Sequence, residues 1–201
     1  LASERVLYPS NDAVALLRVN RPPVPTGRVT RTLTVRDSYG VSGTAWTATG
    51  NQPWLQVTPS GVSGGELTIT ADPTGLAEGL YRGVVTLASD DDNVENTKPI
   101  NVSLWVQDGT NNVGGSVAAA YRQLVSDPLR PYVYAHNGSG SIDVFNMHTR
   151  AQLPSITSVG GSLGPMATSS DGKWLFVLNP VDGSATRVDL DDTTQTITWP
   201  L

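Results

Sequence analysis

The chain has 201 residues, with 13 Lys and Arg against 18 Asp and Glu, a formal net charge of −5 and no cysteine. An acidic chain lacks the basic face that binds a phosphate backbone, so nucleic acid is excluded as a partner. The absence of cysteine excludes disulfides and thiolate metal sites. No apolar run approaches the roughly 20 residues that span a bilayer as a helix, so no membrane span is predicted.

The composition favours short strands joined by many turns. Only 15% of the residues are charged, whereas the chain contains 20 Gly and 14 Pro. Gly and Pro are the typical turn formers, and the frequent Thr and Val residues suit a pleated sheet. We therefore predict an all-β fold.

Residues 1–107 alternate between apolar and polar side chains at hairpin spacing. The alternation is clearest at the end of this region, where Ile100, Val102, Leu104 and Val106 are expected to face the core. Strands are predicted over residues 13–19, 29–35, 44–49, 54–57, 66–71, 80–88 and 100–106. About seven strands in roughly 100 residues predict an immunoglobulin-like β-sandwich.

Three aromatic residues have predicted places in this sandwich. Tyr81 follows Leu76-Ala-Glu-Gly-Leu, a spacing that resembles a tyrosine corner, in which the hydroxyl bonds back to the backbone. Trp46 is expected in the core. Trp54 precedes the inward Leu55, so alternation predicts that Trp54 points away from the core.

Two stretches of this region resemble a known family. They are Trp46-Thr-Ala-Thr-Gly-Asn-Gln-Pro-Trp-Leu-Gln-Val-Thr-Pro59, and Leu67-Thr-Ile-Thr-Ala-Asp-Pro-Thr-Gly-Leu76 followed by Gly79-Leu-Tyr-Arg-Gly-Val-Val-Thr86. Over about residues 30–107 the chain is similar to the BACON domain family. The resemblance implies an Ig-like sandwich of exported bacterial or phage proteins, and so an extracellular or cell-surface location. It also implies either carbohydrate binding or a spacer role.

Residues 108–115, Asp-Gly-Thr-Asn-Asn-Val-Gly-Gly, have the composition of a linker and are expected to separate the first domain from a second at 116–201. The first segment of the second domain, residues 116–126, contains enough Ala for a short helix. Its place before Asp127-Pro128 favours a strand instead.

The second domain contains an internal repeat. Pro131-Tyr-Val-Tyr-Ala135 aligns with Lys173-Trp-Leu-Phe-Val177, and a Gly-containing turn and a second strand follow each. The offset of about 42–44 residues is typical of β-propeller blades. Residues 165–179, Pro-Met-Ala-Thr-Ser-Ser-Asp-Gly-Lys-Trp-Leu-Phe-Val-Leu-Asn, resemble the blades of lactonase-like and surface-layer propellers. The resemblance implies an incomplete propeller of about two blades, for which the remaining blades of a parent chain would be partners, since propellers have four to eight.

The sequence contains no recognisable catalytic constellation. His136 and His148 have no partner at metal-ligand spacing, and His136, at a strand end beside a hairpin, is expected to be exposed. No serine has a His and an Asp placed to activate it. We predict no catalytic residue, no metal ligand and no cofactor. At Asp90, Asp91 and Asp92, calcium binding and simple solvation of the charges both remain open.

Exposed aromatic rings are the side chains best suited to bind a sugar, because they cover the apolar face of a pyranose. Trp105 alternates out of the inward row on its strand, and Tyr39 lies in a loop that ends at Gly40. Trp105 and Tyr39 are the predicted ligand-binding residues. The alternative for Trp105 is that a neighbouring domain covers its ring.

Three functions are compatible with these patterns. The first is a non-enzymatic extracellular binding, adhesion or display module on a propeller scaffold, with a glycan or another protein chain as its partner. The second is a structural spacer or a filament or surface-layer subunit. The third is a fragment of a lactonase-like propeller enzyme.

Overall fold

The structure is a computed structural model that describes residues 5–20, 26–40, 42–95, 99–108, 116, 120–147 and 149–201. The described residues form strands, turns and loops without a helix, which confirms the predicted all-β fold. They therefore include no helix long and apolar enough to cross a membrane. The chain divides into two compact units, Leu1–Asp108 and Gly109–Leu201. Residues 109–115 of the predicted linker and His148 lie outside the described residues.

The first unit contains two sheets, described here with their strands in chain order. The strands are β1 (Arg5–Pro9), β2 (Ala13–Asn20), β3 (Thr26–Arg28), β4 (Thr30–Asp37), β5 (Ala45–Gly50), β6 (Leu55–Val57), β7 (Ser60–Val62), β8 (Glu66–Ala71), β9 (Gly79–Ala88), β10 (Val94–Glu95) and β11 (Ile100–Asp108). One sheet has five strands in the order β10-β1-β4-β8-β6, and the other has six in the order β3-β2-β11-β9-β5-β7.

A single hydrophobic core joins the two sheets of the first unit. It combines Leu33, Leu67 and Ile69 of the five-stranded sheet with residues such as Leu16 and Leu104 of the six-stranded sheet. Each sheet directs one row of alternating side chains into this core, because successive residues of a strand point to opposite faces. The predicted inward row Ile100, Val102, Leu104 and Val106 is at most 1% exposed, which confirms the register of β11.

The predicted strands of the first unit all have counterparts in the structure. Strand β8 has the predicted bounds, and β2, β4, β5, β6, β9 and β11 differ from prediction by one or two residues at an end. Four strands were not predicted: β1, β3, β7 and β10. These are short or lie at sheet edges, where the sequence carries little alternation.

Two aromatic predictions have different outcomes. The Tyr81 hydroxyl donates to the carbonyl oxygen of Ala77 at 3.0 Å, which confirms the predicted hydrogen bond back to the chain. The prediction that Trp54 points away from the core is wrong: its side chain is buried and meets Tyr81 edge to face, with ring centroids 6.4 Å apart. Trp54 precedes β6 in a turn, so strand alternation does not apply to it.

The second unit consists of two four-stranded antiparallel sheets, each made of consecutive strands. The strands are β12 (Gln123–Ser126), β13 (Tyr132–His136), β14 (Ile142–Asn146), β15 (Gln152–Ile156), β16 (Met166–Thr168), β17 (Trp174–Asn179), β18 (Ser184–Asp189) and β19 (Thr196–Pro200). Within the predicted strand at 116–126, only Gln123–Ser126 is a strand, and residues 117–119 lie outside the described residues.

A second hydrophobic core lies between these two sheets. Tyr134, Ile142 and Val144 of the first sheet pack with Leu175 and Val177 of the second. The first strands of the two sheets, β12 and β16, are neighbours, and the Thr168 hydroxyl donates to the carbonyl of Ser126 at 3.4 Å. The two sheets of this unit are therefore packed against each other with their first strands adjacent.

His136 is buried, so the prediction that it is exposed is wrong. Its Nδ1 accepts the backbone N–H of Gly138 at 3.0 Å, and its Nε2 lies 2.9 Å from the carbonyl oxygen of Gly164. Since the backbone N–H of Gly138 can only donate, Nδ1 of His136 is unprotonated, and Nε2 carries the hydrogen that the carbonyl oxygen of Gly164 accepts. The loop before β16, which contains Gly164, covers the end of β13, where the sequence predicted that His136 would be exposed to solvent. His136 therefore has a structural role.

A buried ionic network also joins the two sheets of the second unit. Asp127 accepts hydrogen bonds from the Tyr134 hydroxyl at 2.6 Å and from the Arg130 guanidinium at 3.0 Å. Arg130 also donates to the carbonyl of Gly172 at 2.8 Å and to Asp191. Burial opposes the charge of Arg130, but the neighbouring carboxylates outweigh it and hold the pKa of Arg130 above its ordinary value.

Replacement of Arg130 is expected to destabilise the second unit far more than replacement of a surface cation. We expect Arg130→Met to lower the free energy of unfolding by about 3–5 kcal/mol, because it leaves the buried Asp127 carboxylate without its charged partner. Lys173→Met, which removes partly exposed ion pairs with Asp189 and Asp191, should cost about 1 kcal/mol or less. Denaturant unfolding followed by tryptophan fluorescence measures both, and equal losses would contradict the structural role of Arg130.

Candidate functional site

Tyr39, the first predicted ligand-binding residue, lies in the turn that follows β4 and is 53% exposed. The Asp37 carboxylate accepts the backbone N–H of Tyr39 at 2.9 Å, and Gly40 completes the turn with a φ of +70°, a conformation that favours glycine. The sequence thus fixes the backbone of this turn while the phenol ring faces solvent.

A buried charge cluster anchors the same turn. The Asp37 side chain is fully buried and receives the Arg5 guanidinium at 2.6 Å and the Thr44 hydroxyl at 3.0 Å. Burial alone would raise the pKa of Asp37, but the hydrogen bonds from the Tyr39 backbone, Arg5 and Thr44 outweigh it. The pKa of Asp37 therefore lies below its ordinary value, and the group is an anion that holds the turn.

The carboxylates at 90–92 do not act together. Asp91 accepts the backbone N–H of Asn93 at 3.0 Å and the Arg5 guanidinium at 3.1 Å, which ties this hairpin to the Asp37 cluster. Among the residues that the structure describes, no three His, Asp or Glu side chains are arranged to hold a metal ion. The side chain of Asp91 thus has structural partners.

Trp105, the second predicted ligand-binding residue, lies in the middle of the six-stranded sheet. It points to the face opposite Leu104 and Val106, as the alternation predicts, but its side chain is half-buried. Its cross-strand neighbours are Leu17 on β2 and Leu80 on β9. The indole nitrogen is buried and has no hydrogen-bond partner among the described residues.

The structure does not bring the two predicted residues together. Tyr39 follows a strand of the five-stranded sheet, whereas Trp105 is on the outer face of the six-stranded sheet. The first unit therefore does not contain a single site that uses both rings. Tyr39 and Trp105 would each have to bind a ligand at a separate surface.

A concave surface of about 420 Å³ lies beside the turn between β1 and β2, and we call it the Tyr8 groove. Its lining residues are Val6, Tyr8, Pro9, Ser10, Asn11 and Asp12. The Tyr8 ring is 37% exposed, and hydroxyl, amide and carboxylate groups follow it within four residues. An exposed ring beside short polar side chains can stack on an apolar face of a sugar and accept or donate to its hydroxyls.

Sequence reasoning missed the Tyr8 groove because β1 itself was not predicted. The five residues of β1 end at Pro9, and alternation over so short a segment is weak. The available signal was the polar run Ser10-Asn-Asp12 directly after an apolar stretch, which is typical of a hairpin turn.

A second, more apolar groove of about 320 Å³ lies at the edge formed by β5 and β7. Trp46 and Gly61 are cross-strand partners there, and a Cβ at Gly61 would approach the Trp46 ring to 2.4 Å. The Trp46 side chain is buried, as predicted, and its indole nitrogen has no partner among the described residues. Asp90 is also among the residues that line this groove.

Comparison with known proteins adds no family to these observations. No protein-family model matches the chain, and no curated protein matches it significantly.

The Asp37 cluster should make the stability of the first unit depend on acid pH. Because the pKa of Asp37 is lowered in the folded state, its contribution is complete above the ordinary carboxyl value of about 4 and disappears as pH falls through the lower folded value. We expect Asp37→Asn to cost about 2–3 kcal/mol at pH 7. The difference from wild type should shrink toward pH 2.

Denaturant unfolding of wild type and Asp37→Asn at several pH values tests this dependence. The exposed Asp92→Asn is the control and should follow wild type at every pH. A destabilisation by Asp37→Asn that is the same at pH 7 and pH 2 would show that the charge of Asp37 is not what holds the Tyr39 turn.

Proposed function

We propose that this chain is a non-enzymatic binding or display module of an exported bacterial or phage protein, with glycans as its ligand class. The Tyr8 groove is the observation that carries this proposal, since it combines a partly exposed aromatic ring with a carboxylate, an amide and a hydroxyl in a concave surface. The extracellular or cell-surface location is part of the proposal and rests on the resemblance of residues 30–107 to BACON domains.

The proposal includes an Ig-like sandwich for the first unit. Two sheets around one core and the hydrogen bond from Tyr81 to Ala77 support it. For the second unit we propose two propeller blades. Two four-stranded sheets of consecutive strands, packed with their first strands adjacent, support this reading, as does the repeat of about 42–44 residues.

The placement of the ionisable groups supports binding rather than catalysis. His136 uses both ring nitrogens in hydrogen bonds to the backbone. Asp37 holds an arginine, a hydroxyl and one backbone N–H, and Asp127 holds an arginine, a hydroxyl and two backbone N–H groups. A catalytic base needs a free lone pair toward a substrate, whereas these groups are occupied inside the fold.

A spacer role is the second candidate, and the Arg130 network favours it. The network joins the two sheets of the second unit through a side chain that is almost fully buried. Such a connection stiffens a scaffold and offers nothing to a ligand.

A glycan array probed with the whole chain tests the binding proposal. Wild type should bind a subset of glycans, and Tyr8→Ala should weaken that binding by about tenfold, equivalent to about 1.4 kcal/mol. Tyr8→Phe keeps the ring and should bind nearly as wild type does.

Tyr39→Ala and Trp105→Ala locate the site if Tyr8 is not involved. A loss of binding in either variant with Tyr8→Ala unchanged would move the site to the originally predicted residue. Absence of binding by wild type to every glycan would refute the glycan proposal and leave the spacer role.

A further inference from the structure

The turn that follows β13 contains Asn137 and Gly138, the one Asn-Gly pair in the sequence. Asparagine is a thermolabile residue, because the backbone nitrogen of the next residue can attack its side-chain amide carbon. The attack closes a five-membered ring and is easiest before glycine, which has no Cβ beside the attacking nitrogen. Asn137 is exposed, so water reaches the site of this reaction.

The nitrogen that would attack already donates its hydrogen to a base. The backbone N–H of Gly138 bonds to Nδ1 of His136 at 3.0 Å. A backbone N–H attacks only after it loses its proton, and an unprotonated imidazole nitrogen is the side-chain base best suited to take it near neutral pH. Nε2 of His136 lies 2.9 Å from the carbonyl oxygen of Gly164, which stabilises the imidazolium that the transfer produces.

Two donors polarise the side-chain carbonyl of Asn137. Its Oδ1 accepts the backbone N–H of Ser139 at 3.1 Å and the Ser139 hydroxyl at 3.0 Å. Attack on the amide carbon places negative charge on this oxygen. Donors directed at the atom that acquires the charge have the arrangement of an oxyanion hole.

The surrounding chain holds Gly138 in this position. Its carbonyl oxygen accepts the backbone N–H of Leu163 at 3.0 Å, and its φ of +106° favours glycine. A Cβ at Gly138 would come within 3.3 Å of the Arg122 guanidinium. The positive charge of Arg122 therefore lies beside the turn, where it favours loss of the N–H proton and a negatively charged product.

We propose that the turn with Asn137 and Gly138 is a site of self-modification, at which the fold accelerates the deamidation of Asn137. The proton of the Gly138 N–H passes to Nδ1 of His136, and the Gly138 nitrogen forms a bond to Cγ of Asn137. The bond between Cγ and Nδ2 then breaks. Nδ2 takes up the proton from the imidazolium and leaves as ammonia, and a succinimide remains.

Water completes the reaction. Its addition at the side-chain carbonyl of the succinimide opens the ring to aspartate, and its addition at the main-chain carbonyl opens the ring to isoaspartate. The chain exchanges an amide for a carboxylate and gains one negative charge. This inference is independent of the proposed glycan binding, because His136 acts on its own chain and needs no bound molecule.

The second sheet carries a carboxylate in the corresponding turn. Asp182, Gly183 and Ser184 follow β17 as Asn137, Gly138 and Ser139 follow β13. Asp182 is exposed there, so a turn of this repeat accommodates the charge that deamidation would introduce. Aspartate at position 137 should accordingly leave the first sheet folded.

Mass spectrometry of the whole chain tests the proposal, with peptide mapping to assign the change to Asn137. The rate is measured in native buffer and in concentrated urea at the same pH and temperature. The native chain should deamidate at Asn137 faster than the unfolded chain by about tenfold or more, because only the fold holds the base and the two donors in place. A rigid turn without these groups would hinder ring closure, so a native rate equal to or below the unfolded rate overturns the proposal.

Two variants separate the base from the donors. His136→Gln keeps a donor and an acceptor but no base, and should slow the native reaction by about tenfold or more. Ser139→Ala removes the hydroxyl donor and keeps the backbone N–H, and should slow it by about threefold. Both variants should react as wild type does in urea, where a role confined to the folded turn is lost.

Ser184→Ala, in the corresponding turn of the second sheet, is the matched control and should leave the rate at Asn137 unchanged. Circular dichroism verifies that His136→Gln is folded, since His136 is buried. Ser139 is exposed, so Ser139→Ala tests the proposal without that risk. A native rate for Ser139→Ala, or for folded His136→Gln, that equals the wild-type rate overturns the proposal.

Discussion

The structure depends on one constraint: an apolar sheet face must be covered by another apolar face. A strand directs alternate side chains to opposite faces, so a sheet with one apolar row needs one partner and a sheet with two needs two. In the first unit the five-stranded and six-stranded sheets satisfy each other around a single core. In the second unit, Leu175 and Val177 of the second sheet cover Tyr134 and its neighbours in the first sheet. Phe176 and Ile197, on the opposite face of the second sheet, remain exposed.

Four buried ionisable side chains, Asp37, Asp127, Arg130 and His136, are hydrogen-bonded inside the fold, and this shapes the functional interpretation. Asp37 fixes the Tyr39 turn, Asp127 and Arg130 join two sheets, and His136 accepts from one backbone group and donates to another. Groups so engaged stabilise the scaffold and leave recognition to surface features. The proposed function accordingly uses a partly exposed ring, Tyr8, beside a polar turn rather than any buried ionisable residue.

The sequence predicted what depends on periodicity and missed what depends on neighbours distant in the chain. The strand with Leu104 and Val106 was predicted in register because its alternation is uninterrupted, and the Tyr81 hydrogen bond because its partner is four residues away. Trp54 and His136 were misjudged, since each is buried by contacts that no local pattern reveals. Tyr39 is exposed as expected, but Trp105 is half-buried, and the Tyr8 groove was missed with the short strand that forms it.

Binding of a hydrophobic dye such as anilinonaphthalene sulfonate tests most directly whether one apolar sheet face of the second unit is uncovered in this chain. The native protein should enhance the fluorescence of the dye, and Phe176→Ser combined with Ile197→Ser should remove most of the enhancement. Leu124→Ser, at a residue that is 63% exposed outside that face, should leave it unchanged. Dye binding that is absent in the native protein, or that the Phe176 and Ile197 substitutions do not affect, would contradict the account.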